Sequence, residues 1–410
     1  MIVHVLCEDA TIDTFDSEHG LSLYIETASH RILFDAGQTD VYLKNADKLG
    51  IDVANIDIFV LSHGHYDHGG GLKSFLKNNE KAKIYLHQDA FGAFYHGNRY
   101  IGLDSDLLTD QNRFVMITHD LTIDHELTLL CSDALKAPQT SFTTKCGEQM
   151  TPDAFRHEIY LEVSDTSRKA FFTGCAHKGV VSIAQMAEAR NATHLVGGFH
   201  LPEDSEESGV ISIAQSLGDL SLTYYTGHCT SPFAYAILSR YLGNRIHLLQ
   251  NGLRFPIGDH ASTARFLFRQ GYNCSQAVFG AFADELGIDF ELAMRLASSF
   301  GGGMGRLREV CGAVSGMFMV CGVKEGYSTP ETGEIKAAHY KKIQELASIF
   351  REMHGSLICR DLLGGTVSNT PTPTARTEEF YRLRPCERLI ASAASIAEKQ
   401  LYNEKTESIF

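Results

Sequence analysis

Ser62-His63-Gly64-His65-Tyr66-Asp67-His68-Gly69-Gly70-Gly71 is the stretch from which the fold of this chain is read. It follows Ile56-Asp57-Ile58-Phe59-Val60-Leu61, a short apolar run of strand character, and leads into helical spacing over residues 72–77. In an extended loop, residues two apart point the same way. His63, His65 and Asp67 therefore converge, while His68 turns to a second point. Neutral imidazole and carboxylate are the ligands that zinc and similar ions take in catalytic sites. The glycines permit a tight turn and a helix start just behind the donors.

Working outward, residues 21–25 and 31–34 read as an early antiparallel pair and 83–86 as a further strand. The pattern then repeats. Strands over 169–173, 192–196 and 222–226 alternate with helical spacing over 180–190, 210–217 and 232–241, the last with Pro232 in its first turn. This is a layered α/β domain. Three of its strands end in glycine-rich loops that carry His177, His200 and His228. Alone, each reads as an ordinary loop or core histidine. Repeated after successive strands, where α/β folds gather their sites, they become candidate metal ligands together with the first loop.

The chain has 410 residues and a net charge of −14, with 44% apolar and 21% charged residues. From His260 onward there are 17 Lys+Arg and 17 Asp+Glu, so the whole excess lies in residues 1–259. An acidic front half is a poor surface for nucleic acid, whose affinity comes mainly from phosphate contacts. Most of those charges read as a solvated surface, but converging carboxylates and histidines can hold cations. No run of about 18 apolar residues exists, so no membrane span is expected. No export signal is visible, and ten cysteines are too few for a disulfide scaffold of this length. The expectation is a cytoplasmic protein with reduced thiols.

With these residues in view, the 62–71 stretch resembles the HxHxDH signature of the metallo-β-lactamase-fold hydrolases. The resemblance covers roughly residues 1–258 and implies an αββα sandwich with two divalent metal ions, zinc first, with iron and manganese as the other candidates. It is similar in particular to the branch typified by the archaeal-type dihydropterin ribofuranosyl-aminobenzene phosphate synthases, at residues 61–70, 173–177, 197–201 and 226–229. Many members carry a metal-bridging Asp after the strand that here ends at Thr173-Gly174. This chain has Cys175 there, which reads as a thiolate ligand, a redox thiol, or a filler whose role His177 has taken. Glu158 resembles a carboxylate that this branch carries near the pocket; the plainer reading is a surface residue starting a strand. Two cations about 3.5–4 Å apart lower the pKa of a bound water from ~15.7 toward ~7. Asp67 then has a catalytic role, orienting that water and shuttling its proton.

After about Gly258 the character changes to helical spacing over 262–300, 337–354 and 385–401, with no clear strand. The boundary falls at 259/260, giving a 1–259 domain and a small all-α 260–410 domain. Cys274, Cys311, Cys359 and Cys386 lie 37, 48 and 27 residues apart, with Cys321 as an extra. No CxxC pair occurs, and spacing alone favours buried apolar cysteines. The segment nevertheless resembles the C-GCAxxG-C-C family of small redox-active helical proteins, at Cys311-Gly312-Ala313-Val314-Ser315-Gly316 and the other three cysteines. That resemblance implies an iron–sulfur cluster or a redox thiol set on these four cysteines. The glycine run 301–305 lacks the Lys-Ser/Thr of a phosphate-binding loop and reads as close helix packing or a turn near the cysteines.

The function expected is a dinuclear metal-dependent hydrolase or transferase acting on a small, phosphorylated or pterin-like substrate, with a cysteine-rich redox tail. The alternative is an electron-transfer oxidoreductase with a di-iron front site fed by the tail. A small-molecule substrate and a redox partner protein are the partners expected, with neither nucleic acid nor membrane. The loops over 91–106 and 136–155 are expected to set specificity.

Overall fold

A computed structural model describes residues 1–410 except 12–13, 28, 110, 139, 166–167, 284, 331–332, 365–367 and 403–410. The chain divides into two compact units, Met1–Ile257 and Gly258–Phe410.

The front unit is built on two seven-stranded sheets with the same plan. In the first, Arg254–Pro256, Ile2–Cys7, Ser22–Glu26 and Arg31–Phe34 pair antiparallel, and Ile58–Val60, Lys83–His87 and Phe114–Ile117 continue in parallel. In the second, Leu121–Thr122, Leu127–Cys131, Ile159–Asp165 and Arg168–Phe172 pair antiparallel, and His194–Val196, Thr223–Thr226 and Ile246–Leu248 continue in parallel. One buried cluster takes side chains from both, including Val3, Ile25, Phe34 and Val60 from the first and Leu129, Leu161, Phe172 and Val196 from the second. The sheets therefore pack face to face, as alternating strands with two apolar faces require.

The outer faces are buried by helices. Val41–Lys48 and Leu72–Asn78 cover the first sheet, with Tyr42, Leu72 and Phe75 in its outer core. Val180–Ala189, Glu207–Gly218 and Pro232–Leu242 cover the second, through Ile183, Val210, Ala214 and Leu238. The result is an αββα sandwich. Ser231 caps the last of these helices by accepting from the Ala234 amide, with Pro232 at its first position.

The segments expected to be specificity loops form a third sheet instead. Ala93–His96, Arg99–Tyr100, Phe142–Cys146 and Gln149–Pro152 pair as two hairpins joined through Phe142–His96 and Thr144–Phe94. The pairing joins positions about fifty residues apart, which short-range periodicity cannot reveal.

The rear unit is helical. His260–Arg269, Cys274–Gly280, Gly312–Glu325, Gly333–His354 and Cys386–Tyr402 are its main helices. Asp259 caps the first, and Asn273 with Gln276 forms a reciprocal capping box on the second. Gly312 and Gly316 explain the tight crossing of the second and third. A Cβ at Gly312 would lie 2.4 Å from Sγ of Cys274, and one at Gly316 would lie 2.8 Å from the Ser275 carbonyl.

Candidate metal centre

The donors gather where parallel strands end. Asp35 follows Phe34, the 61–68 loop follows Val60, and Cys175, His200 and His228 follow the next sheet's strands at Phe172, Val196 and Thr226. Backbone strain concentrates at these junctions: Asp35, Ala176, His200 and His228 all have φ between 48° and 60°. Non-glycine residues in that region cost about 1–3 kcal/mol each and cluster at functional sites. Gly174 is required by close approach, since a Cβ there would meet Oγ of Ser62 at 2.2 Å.

Four close donor groups form among the described residues, and Cys175 Sγ belongs to two of them. One is His63, Cys175 and His177; the other is His68, Cys175 and His228, and all their donor atoms lie within 4.8 Å of one another in each group. Nε2 of His63 and His177 are 3.3 Å apart. Nε2 of His68 lies 3.1 Å from Cys175 Sγ and 3.2 Å from Nε2 of His228. Asp67 Oδ2 adds a carboxylate to the second group, 3.3 Å from His228 Nε2 and 3.9 Å from His68 Nε2. The question of Cys175 or His177 thus has a joint answer: both side chains reach the site.

Outer partners fix which nitrogen faces inward. Asp35 accepts from the Ser62 amide and hydroxyl at 2.7 Å and from His68 Nδ1 at 2.7 Å. With its own proton on Asp35, the Ser62 hydroxyl accepts from His63 Nδ1 at 2.8 Å. Asp9 accepts from His228 Nδ1 at 2.9 Å. His68 and His228 thus turn Nε2 to the interior with a carboxylate behind Nδ1, and His63 does so with the Ser62 hydroxyl behind it, the arrangement in which backed histidines bind metal. Against the burial that would lower it, Asp67 and Asp9 raise the pKa of His228 well above the usual histidine range, so a bound ion would displace a proton there. Burial and the neighbouring imidazoles hold His63, His65 and His177 well below the usual histidine range, so they stand neutral. Nε2 of His65 is buried with no hydrogen-bond partner. A buried orphan nitrogen beside neutral imidazoles and a thiol is a donor set that fits a divalent cation.

Other expected residues stand differently. The ring of His65 lies 4.5 Å from that of His63, yet the close donor group it joins is with Asp153 and His157. His157 is fully used, accepting from the Gly64 amide at 3.0 Å and bonded to Asp153 at 3.1 Å. His200 lines the same cavity with its ring 4.5 Å from that of His177, but it joins no close donor group among the described residues. It sits half-buried, its amide donating to Cys229 Sγ at 3.2 Å. Glu158 is neither at the surface nor in the cavity lining. Fully buried, it accepts from the amides of His177 and Lys178 and from the Tyr160 hydroxyl, and so holds the Cys175–His177 loop in place.

The site also contains groups that the sequence reading missed. His19 is hydrogen-bonded to Asp9 at 2.9 Å and lies 3.4 Å from Asp67, which together push its pKa up to about 9. His68, His19 and His228 overcome the effect of burial and keep the Asp67 carboxyl well below its usual range. Phe142 of the third sheet stacks on His65 and on His96, with ring centroids 5.8 and 4.6 Å apart. These side chains wall a cavity of about 480 Å³ whose lining includes Asp67, Cys175, His177 and Arg99.

Residues 17–124 match the Metallo-beta-lactamase superfamily. A solved structure described as Tm1679, a metal-dependent hydrolase of the beta-lactamase superfamily, is 32% identical, with 63% of this chain and all of that chain covered and a TM-score of 0.55. The chain belongs to the metallo-β-lactamase superfamily. An uncharacterized protein of Methanocaldococcus jannaschii, MJ0448, is 32% identical over 49% of this superfamily member and 79% of its own length. The 7,8-dihydropterin-6-methyl-4-(beta-D-ribofuranosyl)-aminobenzene-5'-phosphate synthase of the same organism is 27% identical over 56% of this chain and 87% of its own. Residues 272–400 match the C_GCAxxG_C_C family, described as redox-active. This member of the superfamily thus joins a hydrolase-type fold to a C_GCAxxG_C_C domain.

In that rear domain all four expected cysteines line one cavity of about 300 Å³. Each stands at a helix start: Cys274, Cys359 and Cys386 open their helices, and Cys311 is the N-cap of Gly312–Glu325. No three of their sulfurs form a donor group within 4.8 Å among the described residues. Cys321 lies apart from that cavity, buried in the helix core. No helix of the described residues is long and apolar enough to cross a membrane.

Proposed function

We propose that the front unit is a dinuclear metal-dependent hydrolase or transferase acting on a small phosphorylated substrate, of the pterin-linked kind named in one relative. The observation that carries this is the pair of donor groups sharing Cys175 Sγ on a cavity open to substrate. His63, His177 and Cys175, with the orphaned Nε2 of His65 beside them, would hold one ion; His68, His228, Asp67 and Cys175 would hold the other. A thiolate at the shared position suits zinc or iron better than manganese, and zinc is proposed. When bound, the ions supply Lewis-acid polarisation of the reacting centre and acidify water.

The chain's own residues do the rest. Asp67, held ionised and aimed into the cavity, orients the attacking water and takes its proton. Asp35 and Asp9 fix the imidazoles so that no reorganisation is needed during reaction. Phe142, stacked on His65, covers that side of the cavity. Arg99, whose guanidinium lies 4.9 Å over the Tyr66 ring at the cavity mouth, is placed to hold a substrate phosphate.

For the rear unit we propose an iron–sulfur cluster held by Cys274, Cys311, Cys359 and Cys386. A single tetrahedral zinc at about 2.3 Å from sulfur needs its sulfurs within roughly 3.8 Å of each other, closer than these stand. Cys311 caps its helix without a side-chain hydrogen bond of its own, so a cluster thiolate there would meet the first-turn amides. Sulfur at the shared front position also favours a second reading, di-iron electron transfer. Its single carboxylate ligand weighs for the hydrolytic one.

Anaerobic purification with metal analysis and a visible spectrum tests these readings. Two zinc ions at the front, with iron and labile sulfide that vanish in Cys311→Ser, are expected. Iron at the front ligands would favour the electron-transfer reading. A His63→Ala variant that keeps two front ions and turns over a phosphodiester substrate would refute the front-site assignment.

A further inference from the structure

The cysteine-lined cavity of the rear unit is also an arginine-lined one. Arg306, Arg308, Arg376 and Arg384 all contribute to its wall, and among the described residues no Asp, Glu or Lys does. Four positive charges thus face one space with no carboxylate from the described residues. Their hydrogen bonds go to neutral acceptors. Arg308 Nε and Nη2 donate to the Ser368 carbonyl at 2.9 and 2.7 Å, and Arg306 Nε donates to the Thr370 carbonyl at 2.5 Å. Arg376 donates to the Phe268 and Tyr272 carbonyls at 3.2 and 3.1 Å. Arg384 donates to the Thr374 hydroxyl at 3.4 Å.

Arg308 is the decisive residue. It is only 4% exposed, and its Nη1 is turned to Cys359 Sγ at 4.0 Å. A buried guanidinium without a counter-charge is costly and is kept where an anion meets it. The backbone that carries these groups is forced into place. Met304, Arg306 and Arg308 have φ of 57°, 70° and 65°, all in the left-handed region that non-glycine residues avoid. Elsewhere on the wall the arginines are braced by rings. Arg376 stacks over Phe268 at 4.3 Å, and Arg384 over Phe380 at 4.8 Å. The bracing fixes planar forks of the kind that grip phosphate and carboxylate in pairs of hydrogen bonds.

A cluster or thiolate set on the four cysteines neutralises part of this charge, but it sits on the thiol side. Arg306, Arg376 and Arg384 are only half-buried or exposed, on the approach to it.

We propose that this cavity binds a small anionic molecule, held by its phosphate or carboxylate groups between the four arginines and with its body beside the cysteines. The site is separate from the metal centre, and the inference stands whether or not the thiols carry a cluster. It makes the rear unit a binding module for a diffusible anion held beside whatever redox centre the four cysteines form.

Amide hydrogen exchange on the full, anaerobically purified chain tests it, with millimolar pyrophosphate and, separately, citrate as probes. Slowed exchange is expected across residues 301–311 and 359–363. The Arg306→Gln/Arg384→Gln double variant should need about tenfold more probe for the same protection, the loss of charge-assisted hydrogen bonds. A single Arg384→Gln variant repeats the measurement with less risk to folding. Protection by pyrophosphate alone assigns a phosphate ligand, and protection by citrate alone a carboxylate ligand. Any protection at residues 61–69 or 174–178 reports the metal centre instead and should persist in both variants. Unchanged exchange at 301–311 with both probes, or equal protection in the folded double variant, overturns the proposal.

Discussion

Oδ2 of Asp35 lies 2.7 Å from Nδ1 of His68, and both side chains are fully buried. The same oxygen receives the Ser62 hydroxyl that orients His63, so one carboxylate aligns a donor in each group. Asp35→Asn keeps the shape and tolerates the backbone at φ 60°, but removes the charge and one acceptor. Metal affinity should fall by about 10–100-fold in a chelator competition, the effect of losing a ligand's backing group. An unaltered affinity would show that the imidazoles need no such support.

Cys175 is the donor common to both groups. Cys175→Ala should lower the metal content of the front unit at both positions, and Cys175→Asp should restore it, since a carboxylate can serve two ions as a sulfur does. Plasma emission analysis of the purified variants decides this. Two retained ions in the alanine variant would remove Cys175 from the ligand set.

Gly312→Ala places a Cβ 2.4 Å from Cys274 Sγ and 2.8 Å from the Phe300 carbonyl. Backbone cannot yield cheaply there, so the rear unit should lose about 1–3 kcal/mol of stability. Denaturant titration should show the loss in the helical transition, with front metal content intact. Equal midpoints would mean that the crossing of the two helices is looser than described.

His260 is buried between Glu285 at 3.0 Å and Glu398 at 3.2 Å, and stacks on Phe282. Against the burial that would lower it, the two carboxylates raise its pKa. A histidine raised in the fold stabilises fully below its ordinary value of about 6.5, and that stability is lost as pH rises through the raised value. Solvent at the glutamates screens the pair, so the contribution is roughly 1 kcal/mol. The stability gap between the native chain and His260→Gln should be widest below about pH 6.5 and narrow as pH rises through the raised value. A gap that does not narrow would assign His260 a packing role only.

The candidate donor loop was legible because its logic is local. His63, His65, Asp67 and His68 lie on six consecutive residues, and the later histidines each follow a readable strand. Their outer partners were not legible. Asp35 and Asp9 belong to other loops and reach the imidazoles only through sheet pairing. His157 illustrates the converse: it has the composition of a ligand, but its two nitrogens are committed to Gly64 and Asp153. The four rear cysteines carry no spacing signal and were read through family resemblance. The four arginines gave no signal at all, because 306–308 and 376–384 meet only in the folded helical unit.

The hairpins of the third sheet pair with each other and with neither large sheet, yet they lay Phe142 and His96 against the site. Scaffold and ligand-contacting wall are thus assembled from separable pieces of chain. Descendants of this protein could trade those two hairpins for others and acquire new substrates while inheriting the same ion-binding chemistry untouched.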